Sequence, residues 1–264
     1  RIGLTDITVN YSRPRVTLRG NDRSGKIWGQ QVPYGLTKIA FAGQGNIPWR
    51  AGANENTTVN FSSDVKIEGK PLAAGKYGLH MIIKDADNAT VIFSNNHTSW
   101  GSFFYKQEED AFRFTVKPMK TAGFVETFTI GFTDISTKSC ALSLKWENTE
   151  VKFRINFAVD KQIDAQIAKL LSSEGGMSSF NYFRAAEYYF HNDRDLDKAV
   201  SWIKTGIEKS PKNFRYGLLH AKILAKQGKK NEALKTIAEA NAWAKERNNA
   251  NYIGQTQLFW DSIK

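Results

Sequence analysis

Over the first 157 residues, apolar and polar side chains alternate in short rows. In one row, Tyr77, Leu79, Met81 and Ile83 take alternate positions, the pattern of a half-buried strand. Comparable rows occur at residues 7–11, 59–61, 65–67, 112–116, 124–132, 140–146 and 151–157. The pattern predicts about eight or nine short strands in an antiparallel β-sandwich or barrel. No long helical pattern interrupts the rows, which argues against a parallel α/β sheet.

From residue 159 the apolar period becomes that of a helix. Ile163, Ile167 and Leu170 fall on one helical face, and Gly175-Gly176 follows as a stop signal. Matching pairs then recur 34 residues apart: Phe190 and Leu224, Ala199 and Ala233, Val200 and Leu234, Ile203 and Ile237, Gly206 and Ala240. A helical pair of that length resembles the tetratricopeptide repeat.

These two patterns predict an α+β chain in two domains. Residues 1–158 form the β-sandwich or barrel, and residues 159–264 form a small all-α, tetratricopeptide-like domain. Its units are expected at 181–213 and 214–249, with a closing helix from Tyr252 to Ile263. Because such repeats often bind peptides, we expect a protein partner to contact residues 181–249.

Six motifs, in order, carry a family resemblance over about residues 2–157. They are Tyr11-Ser12-Arg13-Pro14, Gly25-Lys26-Ile27-Trp28-Gly29, Val32-Pro33-Tyr34-Gly35, residues 49–55 (WRAGANE), residues 72–79 (LAAGKYGL) and residues 100–105 (WGSFFY). Together they resemble the bacterial domain of unknown function 2911 family, common in the Bacteroidetes group. The segments 17–23 and 36–47 look like length added to the pattern of shorter members.

The resemblance implies a location and no activity. Members are exported, envelope-associated proteins, often made with a signal peptide, and some carry a helical C-terminal extension. We therefore expect a periplasmic or otherwise exported protein, and the strand-like start at Arg1 predicts a processed or truncated N-terminus.

Composition and charge limit the kinds of partner and site that the chain is expected to have. The net charge is +11, but it is spread over both predicted domains, so a nucleic-acid reader is not indicated. No apolar run reaches the length of a transmembrane helix. Cys140 is the single cysteine, which excludes an intramolecular disulfide and a cysteine-based zinc cluster.

The densest basic group consists of Arg13, Arg15, Arg19, Arg23 and Lys26. Such a group either is an ordinary solvated surface or attracts phosphate, an anionic polysaccharide or a membrane surface.

The segment 49–56 concentrates candidate chemistry. Trp49, Arg50, Asn54 and Glu55 place an indole, a guanidinium, an amide and a carboxylate within seven residues. Arg50 is suited to bidentate binding of a carboxylate or phosphate, and Glu55 is its nearest intramolecular partner. The segment is therefore either an anion or sugar site or a clamp that fixes the loop. Arg13 has the same two interpretations, as a site or as a strand-end clamp.

His80 is the remaining candidate, either a satisfied core residue or a member of the site. Histidine spacing typical of metal centres is absent, a nucleophile elbow is absent, and no cofactor motif is present. Aromatic residues cluster in loop-like segments, where they either stack on sugars or close the ends of the β-domain. They are Trp28, Tyr34, Trp49, Trp100, Phe103, Phe104 and Tyr105.

Three functional hypotheses follow. The leading one is an envelope binding or scaffold protein whose β-domain holds an anionic or glycan ligand near Arg13, Trp49, Arg50, Asn54, Glu55 and His80. The alternative is a hydrolase with Glu55 or His80 as general acid–base and Arg50 as electrostatic stabiliser. The third is a purely structural role. The deciding question is whether Arg50 pairs with Glu55 or faces a pocket shared with His80.

Overall fold

A computed structural model describes residues 1–38 and 46–264, which form two compact units, Arg1–Ile163 and Asp164–Lys264. We call them the β unit and the helical unit. Of the added segment 36–47, residues 39–45 lie outside the described residues.

The β unit is built from antiparallel strands. They are β1 (Ile7–Asn10), β2 (Thr17–Leu18), β3 (Asn21–Asp22), β4 (Thr37–Lys38), β5 (Asn46–Ile47), β6 (Thr58–Phe61), β7 (Val65–Ile67), β8 (Lys70–Leu72), β9 (Gly75–Ile83), β10 (Ala89–Ser94), β11 (Asp110–Val116), β12 (Met119–Thr133) and β13 (Ser139–Phe157). A 3-10 helix, Gln107–Glu109, precedes β11.

The strands form two main sheets and two small hairpins. One sheet has the order β1-β6-β9-β10-β11, the other β12-β13-β7-β8, and β2-β3 and β4-β5 pair separately. The sheet-rich β unit followed by helices confirms the predicted α+β class. Within the described residues both main sheets are open, so the barrel alternative is wrong.

Both main sheets contribute to one hydrophobic core. Leu79 of β9 and Ile155 of β13 are fully buried in it. Phe93 of β10 meets Phe153 of β13 edge to face, with ring centroids 6.0 Å apart. Such aromatic contacts add specific geometry to the apolar area that is buried.

The helical unit contains antiparallel helical pairs. The helices are α1 (Val159–Leu171), which begins in the β unit, and then α2 (Ser179–His191), α3 (Leu196–Lys209), α4 (Phe214–Lys226), α5 (Lys230–Glu246) and α6 (Ala250–Ile263). Side chains of Ser178, Asp195, Asn213 and Asn249 accept hydrogen bonds from the first turns of α2, α3, α4 and α6, which satisfies otherwise unpaired N–H groups.

The predicted 34-residue periodicity reflects how these helices pack. Ala199 and Ile203 of α3 are fully buried, and so are Ala233 and Ile237 at the matching positions of α5. At Gly217 of α4, an added Cβ would lie 2.8 Å from Cβ of Ala240, so only glycine permits this approach. The tetratricopeptide-like character predicted for this region is confirmed. None of the helices in the described part of the chain has the length and apolar character needed to cross a membrane.

Candidate functional site

The loop between β5 and β6 carries most of the candidate residues, and sheet contacts fix its start. The N–H and C=O groups of Trp49 pair with those of Met81 in β9, at 2.8 Å each. The chain then turns through left-handed conformations at Ala51, Gly52 and Asn54. An added Cβ at Gly52 would lie 2.9 Å from both the Ser12 carbonyl oxygen and Thr57 Oγ1. The loop therefore requires glycine at this position.

The side chain of Arg50 holds this loop together by binding a backbone carbonyl group of the loop. Its Nη1 donates to the Asn54 carbonyl oxygen at 2.6 Å, and its guanidinium lies 4.5 Å from the ring centroid of Phe103. The side chain also packs closely on Gly101. Burial lowers the pKa of Arg50 from its ordinary value, but an arginine pKa starts so high that the charge remains.

Glu55 is not the partner of Arg50. Its side chain is exposed and accepts a hydrogen bond from Ser12 Oγ at 3.4 Å, while Asn54 Nδ2 donates to the same Ser12 Oγ at 3.4 Å. Among the ion pairs of the described residues, none joins Arg50 to Glu55. Arg50 therefore binds a carbonyl group of its own loop and not the Glu55 carboxylate.

Arg13 attaches its segment to β12. Its Nε donates to the Phe128 carbonyl oxygen at 3.1 Å, and its Nη2 donates to Thr129 Oγ1 at 2.9 Å. These are the contacts of a strand-end clamp.

His80 lies inside the β unit, with 2% of its surface exposed. Its Nδ1 lies 2.7 Å from Oγ of Ser102, and its ring is 5.6 Å from that of Tyr105. Burial, and then the positive charge of Arg50, lower the pKa of His80 to about 4. The imidazole is therefore neutral at neutral pH.

A cleft of about 570 Å³, which we call the basic cleft, opens beside the loop. It is lined by the arginines Arg15, Arg23 and Arg50, the amides Gln31 and Asn54, the tryptophans Trp49 and Trp146, the prolines Pro14, Pro33 and Pro48, and by Leu18, Thr37, Ile47, Gly52 and Ala53. Of the six candidates, Trp49, Arg50 and Asn54 line this cleft. Arg13, Glu55 and His80 are not among its described lining residues.

The cationic groups of the basic cleft differ in availability. Arg23 is engaged, because it donates to Val16 O at 3.0 Å, to Gln31 Oε1 at 2.8 Å and to the Arg15 carbonyl oxygen. The side chain of Arg15 is 64% exposed, and its Nε lies 3.6 Å from Oε1 of Glu126. An exposed pair of this length is weak, so Arg15 is the cation most open to a ligand.

Packed indoles support the wall of the basic cleft. The ring centroids of Trp49 and Trp146 are 6.3 Å apart and stacked, and Trp28 meets both edge-on at 5.8 and 6.4 Å. Trp146 is buried, and its Nε1 has no hydrogen-bond partner among the described residues. A rigid aromatic wall beside an exposed arginine gives the mixture of apolar surface and a few polar groups that is usual in a small-molecule site.

The sequence did not identify Arg15, Arg23, Gln31 or Trp146 as site residues, although all four line this cleft. Arg15 and Arg23 belonged to the densest basic group of the sequence, which was the available signal. Trp146 had no such signal, because its position in an alternating row predicts a core residue. Within the described residues, no three His, Cys, Asp or Glu side chains are placed to bind a metal ion.

Comparison with known proteins finds one matching family and two solved structures with distant similarity to this chain. The model of the family described as "Protein of unknown function (DUF2911)" matches residues 1–155. A tetratricopeptide repeat domain protein from Salinibacter ruber is 15% identical, with 33% of this chain and 87% of that chain covered and a TM-score of 0.31. A protein from Bordetella parapertussis is 18% identical, with 40% and 87% covered and a TM-score of 0.34. No curated protein matches. At these TM-scores the structural likenesses do not bear on function.

Proposed function

The chain belongs to the DUF2911 family, whose description assigns no activity, and from that premise we propose that its β unit binds an anionic sugar in the basic cleft. The observation that carries the proposal is the composition of the cleft. Three arginines and two amides line it together with indole and proline surfaces, and no carboxylate lies among its described lining residues. The residues outside the described ranges, 39–45, contain no Asp or Glu either.

The arginines favour an anion. A guanidinium binds a carboxylate through two parallel hydrogen bonds, which are among the strongest that a neutral-pH site can offer. Arg15 presents such a group, 64% exposed, in the lining of the basic cleft, and Arg50 adds a fixed positive charge to the same lining.

The remaining walls favour a sugar over a bare anion. Half-buried Trp49 and the prolines offer apolar surface to the C–H groups of a sugar ring. Gln31 and Asn54 offer amide donors and acceptors for hydroxyl groups. A uronic acid, which combines a pyranose ring with a carboxylate, matches both parts.

The same geometry favours binding over hydrolysis. General acid–base catalysis needs a titratable group within hydrogen-bond reach of the substrate. His80 is buried away from solvent and bonded to Ser102, and Glu55 lies outside the described lining of the basic cleft. The alternative of a hydrolase using Glu55 or His80 therefore has less support than a binding protein.

The first prediction concerns Arg15. We expect methyl glucuronide to bind and methyl glucoside, in which a CH2OH group replaces the carboxylate, to bind at least about tenfold more weakly, as isothermal titration calorimetry measures. Arg15→Gln should reduce affinity for methyl glucuronide by about tenfold and leave the weak glucoside affinity unchanged.

Arg19→Gln is the matched control for this prediction. It removes the same charge from a neighbouring exposed arginine that does not line the basic cleft, so it should bind methyl glucuronide like the wild type. Equal loss in both variants, or equal affinity for the two ligands, would contradict the proposal.

Two further parts of the proposal concern the chain as a whole. We place the protein in the cell envelope, as the family resemblance implies, and fractionation of cells expressing the native gene tests this. We also assign contact with a protein partner to residues 181–249, because stacked helical pairs align side chains of successive units on one face. Crosslinking in those cells, with the helical unit deleted as control, tests that contact.

A further inference from the structure

A second cavity of about 620 Å³ lies in the β unit. We call it the tyrosine cavity, since Tyr34 is its most exposed aromatic residue, and its lining includes Trp28, Asp85, Asp87, Lys117 and Lys120. None of the hypotheses from the sequence used this combination of residues.

Tyr34 is both exposed and held in place. Its surface is 49% exposed, yet an added Cβ at Gly29 would lie 2.9 Å from the Tyr34 ring, so the ring lies against the Gly29 backbone. The next residue, Gly35, donates its N–H to the Ile83 carbonyl oxygen at 2.7 Å. An exposed ring that packs on one backbone segment and whose own main chain is anchored next to it forms a preorganised surface for a ligand.

The charges of the tyrosine cavity balance, in contrast to those of the basic cleft. Asp87 pairs with Lys117 at 3.0 Å. Asp85 accepts hydrogen bonds from the N–H of Asp87 at 2.8 Å and from Asn88 Nδ2 at 3.1 Å. Carboxylates and ammonium groups in equal number provide acceptors and donors for hydroxyl groups without favouring a charged ligand.

The two cavities are neighbours along the chain and across one aromatic wall. Pro33 lines the basic cleft and Tyr34 the tyrosine cavity; on β13, Trp146 lines the first and Asn148 the second. Because consecutive Cα atoms are about 3.8 Å apart, Pro33 and Tyr34 bring the linings of the two cavities close together. The wall consists of Trp28 on one side and Trp49 on the other, with ring centroids 5.8 Å apart.

We propose that the two cavities are subsites for one acidic oligosaccharide, with the uronic acid unit in the basic cleft and an adjoining neutral sugar unit on Tyr34. This inference rests on the proposed function and extends it, because it names the ligand as an oligosaccharide with both acidic and neutral units. The linked units gain affinity because the second contact is made within one molecule.

The test compares methyl glucuronide with a disaccharide of one glucuronic acid and one glucose, in both linkage orders, by isothermal titration calorimetry. For one order we expect the disaccharide to bind at least about tenfold more tightly than methyl glucuronide. Tyr34→Ala should remove this gain and leave the affinity for methyl glucuronide unchanged. Tyr34→Phe, which keeps the ring, should retain the gain and shows that the site still folds.

Phe104→Ala serves as the control for loss of an exposed ring, since Phe104 is exposed and lines neither cavity; it should leave both affinities unchanged. If the disaccharide gains nothing over methyl glucuronide, or the gain persists in Tyr34→Ala, the second subsite is wrong and the basic cleft stands. If methyl glucuronide does not bind at all, the proposed function is wrong and this inference fails with it.

Discussion

The guanidinium of Arg50 is bound on two sides, and this determines what the residue contributes. Its hydrogen bond to the Asn54 carbonyl closes the loop, and the Phe103 ring covers its face. Asn54 adopts a positive φ of 60°, which is uncommon for a residue other than glycine. With the loop closed in this way, Glu55 reaches Ser12 instead. The sequence showed that Arg50 and Glu55 lie close together along the chain. The turn of the backbone between them gives each side chain a different partner.

His80 makes stability depend on pH. Its pKa is about 4 in the folded protein, against about 6.5 in an unfolded chain. Between these values the unfolded state binds more protons, so stability is fully present above pH 6.5 and falls as the pH decreases toward 4. From pH 7 to pH 5, this histidine should lower the free energy of unfolding by about 2 kcal/mol.

Urea unfolding of the wild type and of His80→Gln at both pH values measures this contribution. The variant should lose less stability over the interval, by about that 2 kcal/mol. His220, whose pKa burial also lowers to about 4, remains in both proteins and accounts for a shared loss. An identical pH dependence in the two proteins would show that His80 is not titrating as the structure implies.

At the scale of elements, burial on both faces hides a strand from pattern reading. All six residues of β10 are buried between β9 and β11, so no alternation marks it, and the rows in the sequence omit it. At Glu147 the sequence pattern instead predicts an interruption where the structure has a continuous strand. The break between the rows at 140–146 and 151–157 predicts a turn, whereas β13 continues through a single residue with φ 53°. A local irregularity of this kind bends a strand without ending it.

Two helical glycines should respond to substitution with opposite signs. Gly217→Ala places a methyl group 2.8 Å from Ala240 Cβ, and we expect it to destabilise by about 1–3 kcal/mol despite the better helix propensity of alanine. Gly254 of α6 has nothing within 4 Å of an added Cβ. Gly254→Ala should stabilise by about 0.5–1 kcal/mol.

Thermal and urea unfolding of both variants against the wild type give these differences. The close approach of α4 and α5 would be refuted if both substitutions were stabilising.

At the scale of the whole molecule, the basic cleft is assembled from separate parts of the sequence. Residues 14–23, 31–37 and 47–54 contribute, and Trp146 comes from a strand far along the chain. The sequence identified a basic group and an aromatic-rich loop, but only the fold brings Arg15 beside Trp49. The segment 17–23, which looks like length added to the family pattern, supplies Leu18 and Arg23 to this wall.

The net charge of +11 should act on an acidic ligand at long range, separately from contact with Arg15. Raising the salt concentration from 0.1 M to 1 M shortens the Debye length from about 10 Å to about 3 Å. The association rate constant for the acidic disaccharide should therefore fall in the wild type, in Arg15→Gln and in Arg19→Gln alike.

Stopped-flow binding at both salt concentrations measures these rate constants. The affinity deficit of Arg15→Gln relative to Arg19→Gln should persist at 1 M salt. Salt screens the long-range attraction between the ligand and the net charge more than it screens a direct contact between Arg15 and the ligand. If the deficit disappeared there, Arg15 would be acting only through net charge.

The packed indoles of Trp28, Trp49 and Trp146 give the β unit an intrinsic optical signal. Chromophores held edge-on at 5.8 Å couple their electronic transitions, and the resulting circular dichroism in the near ultraviolet depends on the angle between the rings. Trp28 borders one cavity and Trp49 the other, so a ligand that tilts either ring changes the spectrum of the coupled pair. Occupancy of each cavity can therefore be followed in the unlabelled protein.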